Sequence, residues 1–474
     1  MQSSNPETLA ESTQTVPAEN GQLLKRTVSR CPLCHASCPA EVRHLPGQPA
    51  KVFLTRTCPT HGPTSVCIAS DARFYWLAQG RPENSSGCCG NSQTCFSAEG
   101  STAGTLGRNA SGRGDGSFEK LSTCLALIEI VNSCNLSCPT CYADSPLGAA
   151  SKVDAIPLPD LQRRIQGVID RKGPIEILQL SGGEPTLHPQ FSELVAWVQD
   201  NPGIDYLLLN TNGVRIAHDD DFSASLAKAA KRRNIQLYLQ FDGVQLEGQH
   251  FLRGADLRTT RIRAIERCRE LNLPITLAMT VTSENLPHVW DAIEFGLGYP
   301  HIRGISFQPM FTSGRMPRFQ EADGRARLNT ADIILAAVEQ ARGKLRFEDF
   351  TPLPCGDPNC AAIGYLLKAG GRTYSISDFI DFTRVQAFLQ DKVRYRLEDL
   401  MRCGCESEPL GELLRQFEMD ETNAFRIFIK PFMDAGTWDE DRIDRCCTHV
   451  IRPDGQLDSF CRYYSGFPDT KPPP

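Results

Sequence analysis

Cys134, Cys138 and Cys141 stand at C-x3-C-x2-C spacing directly after an apolar, β-branched run, Leu125 to Val131. Three thiolates can hold three irons of a [4Fe–4S] cube and leave the fourth iron without a protein ligand. An iron left open is a place for chemistry. A fourth cysteine would close the cluster and restrict it to moving electrons. None follows nearby; the next is Cys268. Structural zinc would want four closed ligands, so the trio reads as a reactive centre.

Further donor sets surround it. Cys31, Cys34, Cys58 and His61 read C-P-x-C … C-P-x-H-G, two knuckles of a four-ligand site for zinc or a single iron. Cys38 is a spare that could stand in for His61. Cys88, Cys89, Cys95 and Cys124 surround a Gly-rich excursion and suit an auxiliary iron–sulfur cluster or free thiols. Cys124 falls at the start of the first strand, away from the reactive end, which suits an electron relay or a structural role. The C-terminal set is Cys355, Cys360, Cys403, Cys405, Cys446, Cys447 and Cys461. Seven thiols exceed what one cube needs, so at least one auxiliary [4Fe–4S] cluster is expected, and two if ligands are shared with the earlier group. Cys268, on a helical pattern, and Cys67 read as ordinary buried thiols.

These residues need elements to hold them. From 121 to 315, apolar runs (LALIEIV, IEILQLS, YLLLN, IQLYLQF, ITLAMTV, IRGISFQP) alternate with amphipathic stretches. Strands alternating with ten- to fifteen-residue helices mean βα units and a parallel sheet. Six such units predict an α/β fold, a partial (β/α)6 barrel. Chemistry in such sheets gathers at the C-terminal ends of strands. There lie the cysteine loop, Gly182-Gly183-Glu184-Pro185, Asn210-Thr211-Asn212-Gly213, and Gln240 with Asp242-Gly243. Turn and cap chemistry explains the last two groups about as well.

Around the barrel we expect a disordered tail over 1–28, a cysteine-rich metal-binding domain over 29–97, a Gly/Ser-rich linker over 98–120, and a C-terminal iron–sulfur domain over 316–474 packed on the barrel mouth. Net charge is −6, which gives no general attraction to nucleic acid. No apolar stretch approaches the ~20 residues of a membrane span. The polar N-terminus lacks an apolar signal region, so a cytoplasmic protein is expected. In that compartment the 20 cysteines favour metal ligation over disulfides.

The cysteine spacing after a first strand resembles the radical SAM superfamily. The resemblance implies that S-adenosylmethionine chelates the open iron and is cleaved to a radical that takes hydrogen from an unactivated carbon. It implies that Gly182, Gly183 and Glu184 bind the methionine amino group. Asn210, Asn212, Gln240 and Asp242 suit further cofactor contacts. Thr140 departs from the aromatic residue often found before the third cysteine. Within the superfamily, PLPCGDPNC, FIKPFMDAGTWDEDRIDRCCTHV and PDGQLDSFCRYY resemble the tetraether lipid synthase family. That resemblance implies carbon–carbon bond formation between lipid alkyl chains, auxiliary clusters and a mononuclear zinc or iron. It also implies an electron donor such as flavodoxin or ferredoxin, an apolar tunnel at the barrel mouth, and transient contact with a membrane surface. Radical methylation of a pterin or similar small molecule is the alternative, and a non-catalytic iron–sulfur protein the third.

Overall fold

The computed structural model describes residues 21–77, 123–148, 153–232, 235–316, 327–353, 355–379 and 422–467. Cys88, Cys89, Cys95, Cys403, Cys405, the Gly/Ser-rich stretch and most of the expected tail lie outside the described residues.

The N-terminal cysteines ride on four antiparallel strands in sequential order: β1 (Gln22–Arg30), β2 (Ser37–Leu45), β3 (Lys51–Cys58) and β4 (Gly62–Ala69). Alternate positions on one face, Ala40, Val42, Val52, Leu54 and Ala69, are its buried core. So few apolar side chains cannot hold a sheet alone, and a metal staple is the usual remedy.

Six parallel strands follow, each paired with the next: β5 (Leu125–Val131), β6 (Ile175–Gly182), β7 (Ile204–Thr211), β8 (Ile235–Gln240), β9 (Ile275–Val281) and β10 (Ile302–Pro309). Crossovers run through α1 (Leu158–Lys172), α2 (Phe191–Asp200), α3 (Asp220–Ala230), α4 (Arg258–Glu270) and α5 (Val289–Leu297). On β5, Ala126, Ile128 and Ile130 are fully buried in the main core with Leu161 and Ile165 of α1. Leu125 and Leu127, on the opposite face, line a cavity of 610 Å³ that also touches β6, β7, β8, β9 and β10. One cavity reached from the same face of six neighbouring strands requires the sheet to curve around it.

The segment expected as a separate C-terminal domain supplies strands to both edges of this sheet. β14 (Ala424–Ile429) pairs parallel with β10, and β12 (Ala362–Ala369) pairs antiparallel with β14, flanked by β11 (Phe350–Pro352) and β13 (Arg372–Ser375). At the other edge β15 (Thr448–Ile451) pairs parallel with β5 and antiparallel with β16 (Leu457–Ser459). The catalytic strands thus have no open edge. The small N-terminal sheet is tied on by Lys25, whose Nζ lies 2.7 Å from Asp439, and by Arg56, whose Nη atoms donate to Ala435 O (2.7 Å) and Gly436 O (2.6 Å). Among the described residues no helix is long and apolar enough to cross a membrane.

Candidate active site

The cysteine loop leaves β5 and is fixed by its neighbour strand. Gly183 N–H donates to Val131 O (2.7 Å), and Glu184 N–H to Ser133 O (3.0 Å). Glycine is required here by contact: a Cβ on Gly183 would lie 2.0 Å from Ser133 O, and one on Gly182 (φ +112) 2.2 Å from Val131 O. Further along, Cys134 N–H donates to Pro146 O (2.9 Å), and Cys141 and Arg315 exchange two backbone bonds of 2.8 Å. Arg315 also donates to Cys138 O (3.1 Å).

Cys134, Cys138 and Cys141 line one pocket of 140 Å³ with Gly182, Gly183, Glu184, Asn210, Asn212 and Gln240. All three thiols are free. Burial pushes the Cys134 thiol up to about 12, with the facing Glu184, Cys138 and Cys141 adding to it. Such a donor set is stable as thiolates only around a cation. The three sulfurs do not all draw within 4.8 Å of one another, unlike two other groups among the described residues. Around one tetrahedral ion with bonds near 2.3 Å, donors sit roughly 3.8 Å apart. The wider trio fits a multi-iron centre better than a single ion.

Glu184 is 1% exposed and already engaged. Its Oε1 accepts from Thr186 N (3.2 Å), Thr186 Oγ1 (2.7 Å) and Thr211 Oγ1 (2.7 Å), and its Oε2 from Asn212 N (2.7 Å). Burial nonetheless raises its pKa. Its main work is to lock the β6 and β7 ends together, leaving only capacity on Oε2 for a ligand. Asn212 reaches across to Asn135 Oδ1 (2.6 Å) and lies 3.8 Å from Cys134 Sγ. Asn210 donates to Ser181 Oγ (3.1 Å), and Gln240 to Asp242 Oδ1 (2.7 Å).

Asp242 sits in the left-handed region (φ 61) and is fully buried. Both its oxygens bind Arg253, at 2.6 Å (Nε) and 2.9 Å (Nη2), and Oδ1 also accepts from Thr280 N (3.1 Å). Burial alone would raise this carboxyl, but Arg253 holds it below the usual range. Asp242 therefore acts through Arg253, which faces Cys138. Arg253 and Arg261, both lining the pocket, are residues the sequence reading missed. An arginine on a helix reads as solvated face, and α4, RTTRIRAIERCRE, carries seven charged positions.

The two cavities meet. Tyr142, Asn210, Gln240, Gln308 and Phe311 line both the cysteine pocket and the large cavity. Tyr142, whose hydroxyl is 3.2 Å from Ser181 Oγ, packs against Phe460 (5.5 Å) and Tyr464 (4.9 Å), so the junction has aromatic walls.

The N-terminal set closes on one point. Cys31, Cys34, Cys58 and His61 donor atoms lie within 4.8 Å of one another. Cys31 Sγ is 3.4 Å and Cys58 Sγ 3.6 Å from His61 Nδ1, and Cys34 and Cys58 sulfurs are 3.7 Å apart. These are the edges expected for one ion. Donation from the His61 backbone, outweighing desolvation, draws Cys58 down to about 6. Cys38 turns instead to Ala36 O (3.3 Å), so His61 is the fourth donor.

The C-terminal cysteines divide. Cys124 and Cys355 are joined as a disulfide with Cys447 beside them, all buried and within 4.8 Å. Cys124 thus sits beside cysteines of the C-terminal set; Cys88, Cys89 and Cys95, with which it was expected to group, lie outside the described residues. Cys360, Cys446 and Cys461 lie in each other's field, since each of the other two raises the buried Cys446 thiol after desolvation has done so. Cys268 is a buried core thiol, pushed up to about 12 by burial alone.

Residues 128–296 match the radical SAM superfamily model, and residues 23–70 match the HMPTM N-terminal zinc ribbon domain. The chain is a radical SAM enzyme, and its cofactors are a [4Fe–4S] cluster and S-adenosylmethionine; the zinc ribbon and the further cysteine clusters fit auxiliary metal sites once their thiols are reduced. The reading as a non-catalytic carrier is set aside. Among particular relatives, it is 25% identical over 508 residues to 7,8-dihydro-6-hydroxymethylpterin dimethyltransferase of Methanocaldococcus jannaschii, covering 93% of each chain. It is 26% identical over 188 residues to GTP 3′,8-cyclase of Syntrophomonas wolfei, covering 39% of this chain and 55% of the other. Streptococcus suis SuiB bound to S-adenosylmethionine is similar at 16% identity and a TM-score of 0.34, over 44% of each chain. The family match over residues 128–296 and the sequence relatives support the superfamily and leave the substrate open.

Proposed function

We propose that this chain takes hydrogen from unactivated carbon on a long alkyl chain and joins such chains by carbon–carbon bond formation. The observation that carries this is the 610 Å³ cavity opening into the cysteine pocket. Its lining runs from Leu125, Ile177 and Tyr206 near the strand starts to Gln240, Gln308 and Phe311 at the strand ends. Strands of six to eight residues at ~3.3 Å each span about 20 Å. A space of that length suits an extended chain better than a compact two-ring heterocycle. None of the described lining residues is Asp or Glu, while Lys231, Arg232, Arg303, Arg426 and Lys430 are among them, so the walls offer cations and no acid to pair with a cationic or amidine-like group.

Within this reading Cys134, Cys138 and Cys141 hold the cluster, and Gly182, Gly183, Asn212 and Gln240 form the bed of the sulfonium cofactor. When bound, that pair supplies a 5′-deoxyadenosyl radical able to take hydrogen from an sp3 carbon. The chain's own residues do the rest. Glu184 and Asp242 fix the loops, Asn212 orients Asn135 beside Cys134, and the aromatic junction of Tyr142, Phe311 and Phe460 keeps water from the reacting end. An electron donor such as flavodoxin or ferredoxin would reduce the cluster.

A second reading is methylation of a pterin. It is favoured by the likeness to the pterin dimethyltransferase over 93% of both chains and by amide side chains in the cavity, Gln179, Gln236 and Gln308 among them. Anaerobic, reconstituted enzyme should form 5′-deoxyadenosine, and Cys134→Ala should abolish it. Comparison of the lipids of a host with and without the gene then separates the readings. Coupled alkyl chains that vanish with the gene support the first, and unchanged lipids with a methylated pterin support the second.

A further inference from the structure

The large cavity has a cationic end, far from the cysteines. Lys231, Arg303 and Arg426 line it near the strand starts: Lys231 lies ahead of β8, Arg303 is second on β10 and Arg426 third on β14. Two other cations of the lining are engaged. Arg232 pairs with Asp200 (2.6 Å), and Lys430, beyond the end of β14, donates to Thr448 Oγ1 (2.7 Å). Arg303 stands at an irregularity in the ladder. Ile302 pairs with Ile275 and Gly304 with Thr276, so β10 advances two residues where β9 advances one. A bulge of this kind re-aims a side chain. Arg303 Nη1 is buried and has no acceptor among the described residues. Burial first, and the Arg303 charge second, draw the neighbouring Lys368 down to about 8, so the surroundings add positive charge there. A buried guanidinium nitrogen without an acceptor is costly to keep. A cleft walled by charges of one sign concentrates their field within it.

We propose that this end of the cavity is a phosphate site for the charged end of the substrate, with Arg303 as its binding residue and Arg426 and Lys231 adding charge. A phosphate ester carries about −1.5 to −2 at neutral pH, which suits several cations better than the single charge of a carboxylate. The planar fork of an arginine can take two phosphate oxygens at once. The assignment rests on the reading of this cavity as the substrate space, and it gives the substrate a direction. The phosphate lies at the strand starts, and the carbon that loses hydrogen lies at the strand ends beside the cysteines, roughly 20 Å away. The substrate class is then a phosphate ester whose reactive carbon is remote from its charge.

The test measures equilibrium binding of hexadecyl phosphate, hexadecanol and inorganic phosphate to full-length, cluster-reconstituted protein under anaerobic conditions. Wild type should bind the ester at least about tenfold tighter than the alcohol, the scale of one hydrogen bond to a charged group. Inorganic phosphate should compete with the ester and not with the alcohol. Arg303→Gln should remove most of the preference by weakening the ester alone, and Arg303→Lys, with charge but no fork, should fall between. Iron and sulfide content should match wild type in each variant. Equal binding of ester and alcohol by wild type, or a preference unchanged in Arg303→Gln, overturns the phosphate site and leaves the alkyl-chain reading standing. Inorganic phosphate bound as tightly as the ester overturns the site's role as a substrate anchor. If neither chain binds but the phosphate ester of 6-hydroxymethylpterin does, and Arg303→Gln weakens it, the phosphate site stands and the alkyl-chain reading falls. Binding of none of these probes overturns both.

Discussion

Gly183→Ala should empty the catalytic centre while leaving the rest of the protein metallated. The new Cβ would lie 2.0 Å from Ser133 O, against an ordinary contact of 3.4 Å or more, and 2.4 Å from Ser133 C. Both neighbours are backbone, so no side chain can swing aside. The strand end and the cysteine loop must separate by more than 1 Å. That breaks the Glu184 N–H to Ser133 O bond and shifts Cys134, the next residue. Overpacking of this kind costs about 1–3 kcal/mol in stability. A displacement of about 1 Å at a reacting centre costs roughly 10²-fold in rate. Metal and sulfide analysis of the purified variant, with 5′-deoxyadenosine formation as the second readout, checks this. Iron bound at the three cysteines should drop while the ribbon keeps its ion. A variant with full iron content and wild-type 5′-deoxyadenosine yield would refute the reasoning.

Three further outcomes follow from the same geometry. Asp242→Asn strands Arg253 in a site where its side chain is 10% exposed, so the urea midpoint should fall by an amount equivalent to about 3–5 kcal/mol; no change would mean the pair is dispensable. Cys58→Ser should remove the ribbon ion and expose the segment 21–70 to proteolysis, because its apolar core is five buried side chains, while iron at Cys134, Cys138 and Cys141 persists. His301 is buried, and that burial lowers its pKa to about 4; its Nε2–H donates to Ile265 O at 3.1 Å. The unfolded chain binds this proton near pH 6.5, so stability is complete above that value and declines as pH falls from 6.5 toward 4, by up to about 3 kcal/mol. Denaturant titrations across that range should show the slope in wild type and its loss in His301→Gln.

The six-strand alternation, the reactive trio and the ribbon ligands were all legible from local order. Their signals are short: period-two apolar runs, C-x3-C-x2-C, and paired knuckles bring their residues together within a few positions of chain. The Gly-Gly pair was legible as well, because its place at the end of β6 is itself a local feature, although its reason, contact with Val131 at the end of β5 and Ser133 in the cysteine loop, is not. What the tertiary structure alone decided lies in partners far apart in sequence. Cys124 meets Cys355 and Cys447, β14 and β15 close opposite edges of one sheet, and Asp242 holds Arg253 with both oxygens. Arg261 is the clearest case. A charged residue on a helix has no local mark that it faces inward, since its burial is set by the strands and loops that helix happens to cover.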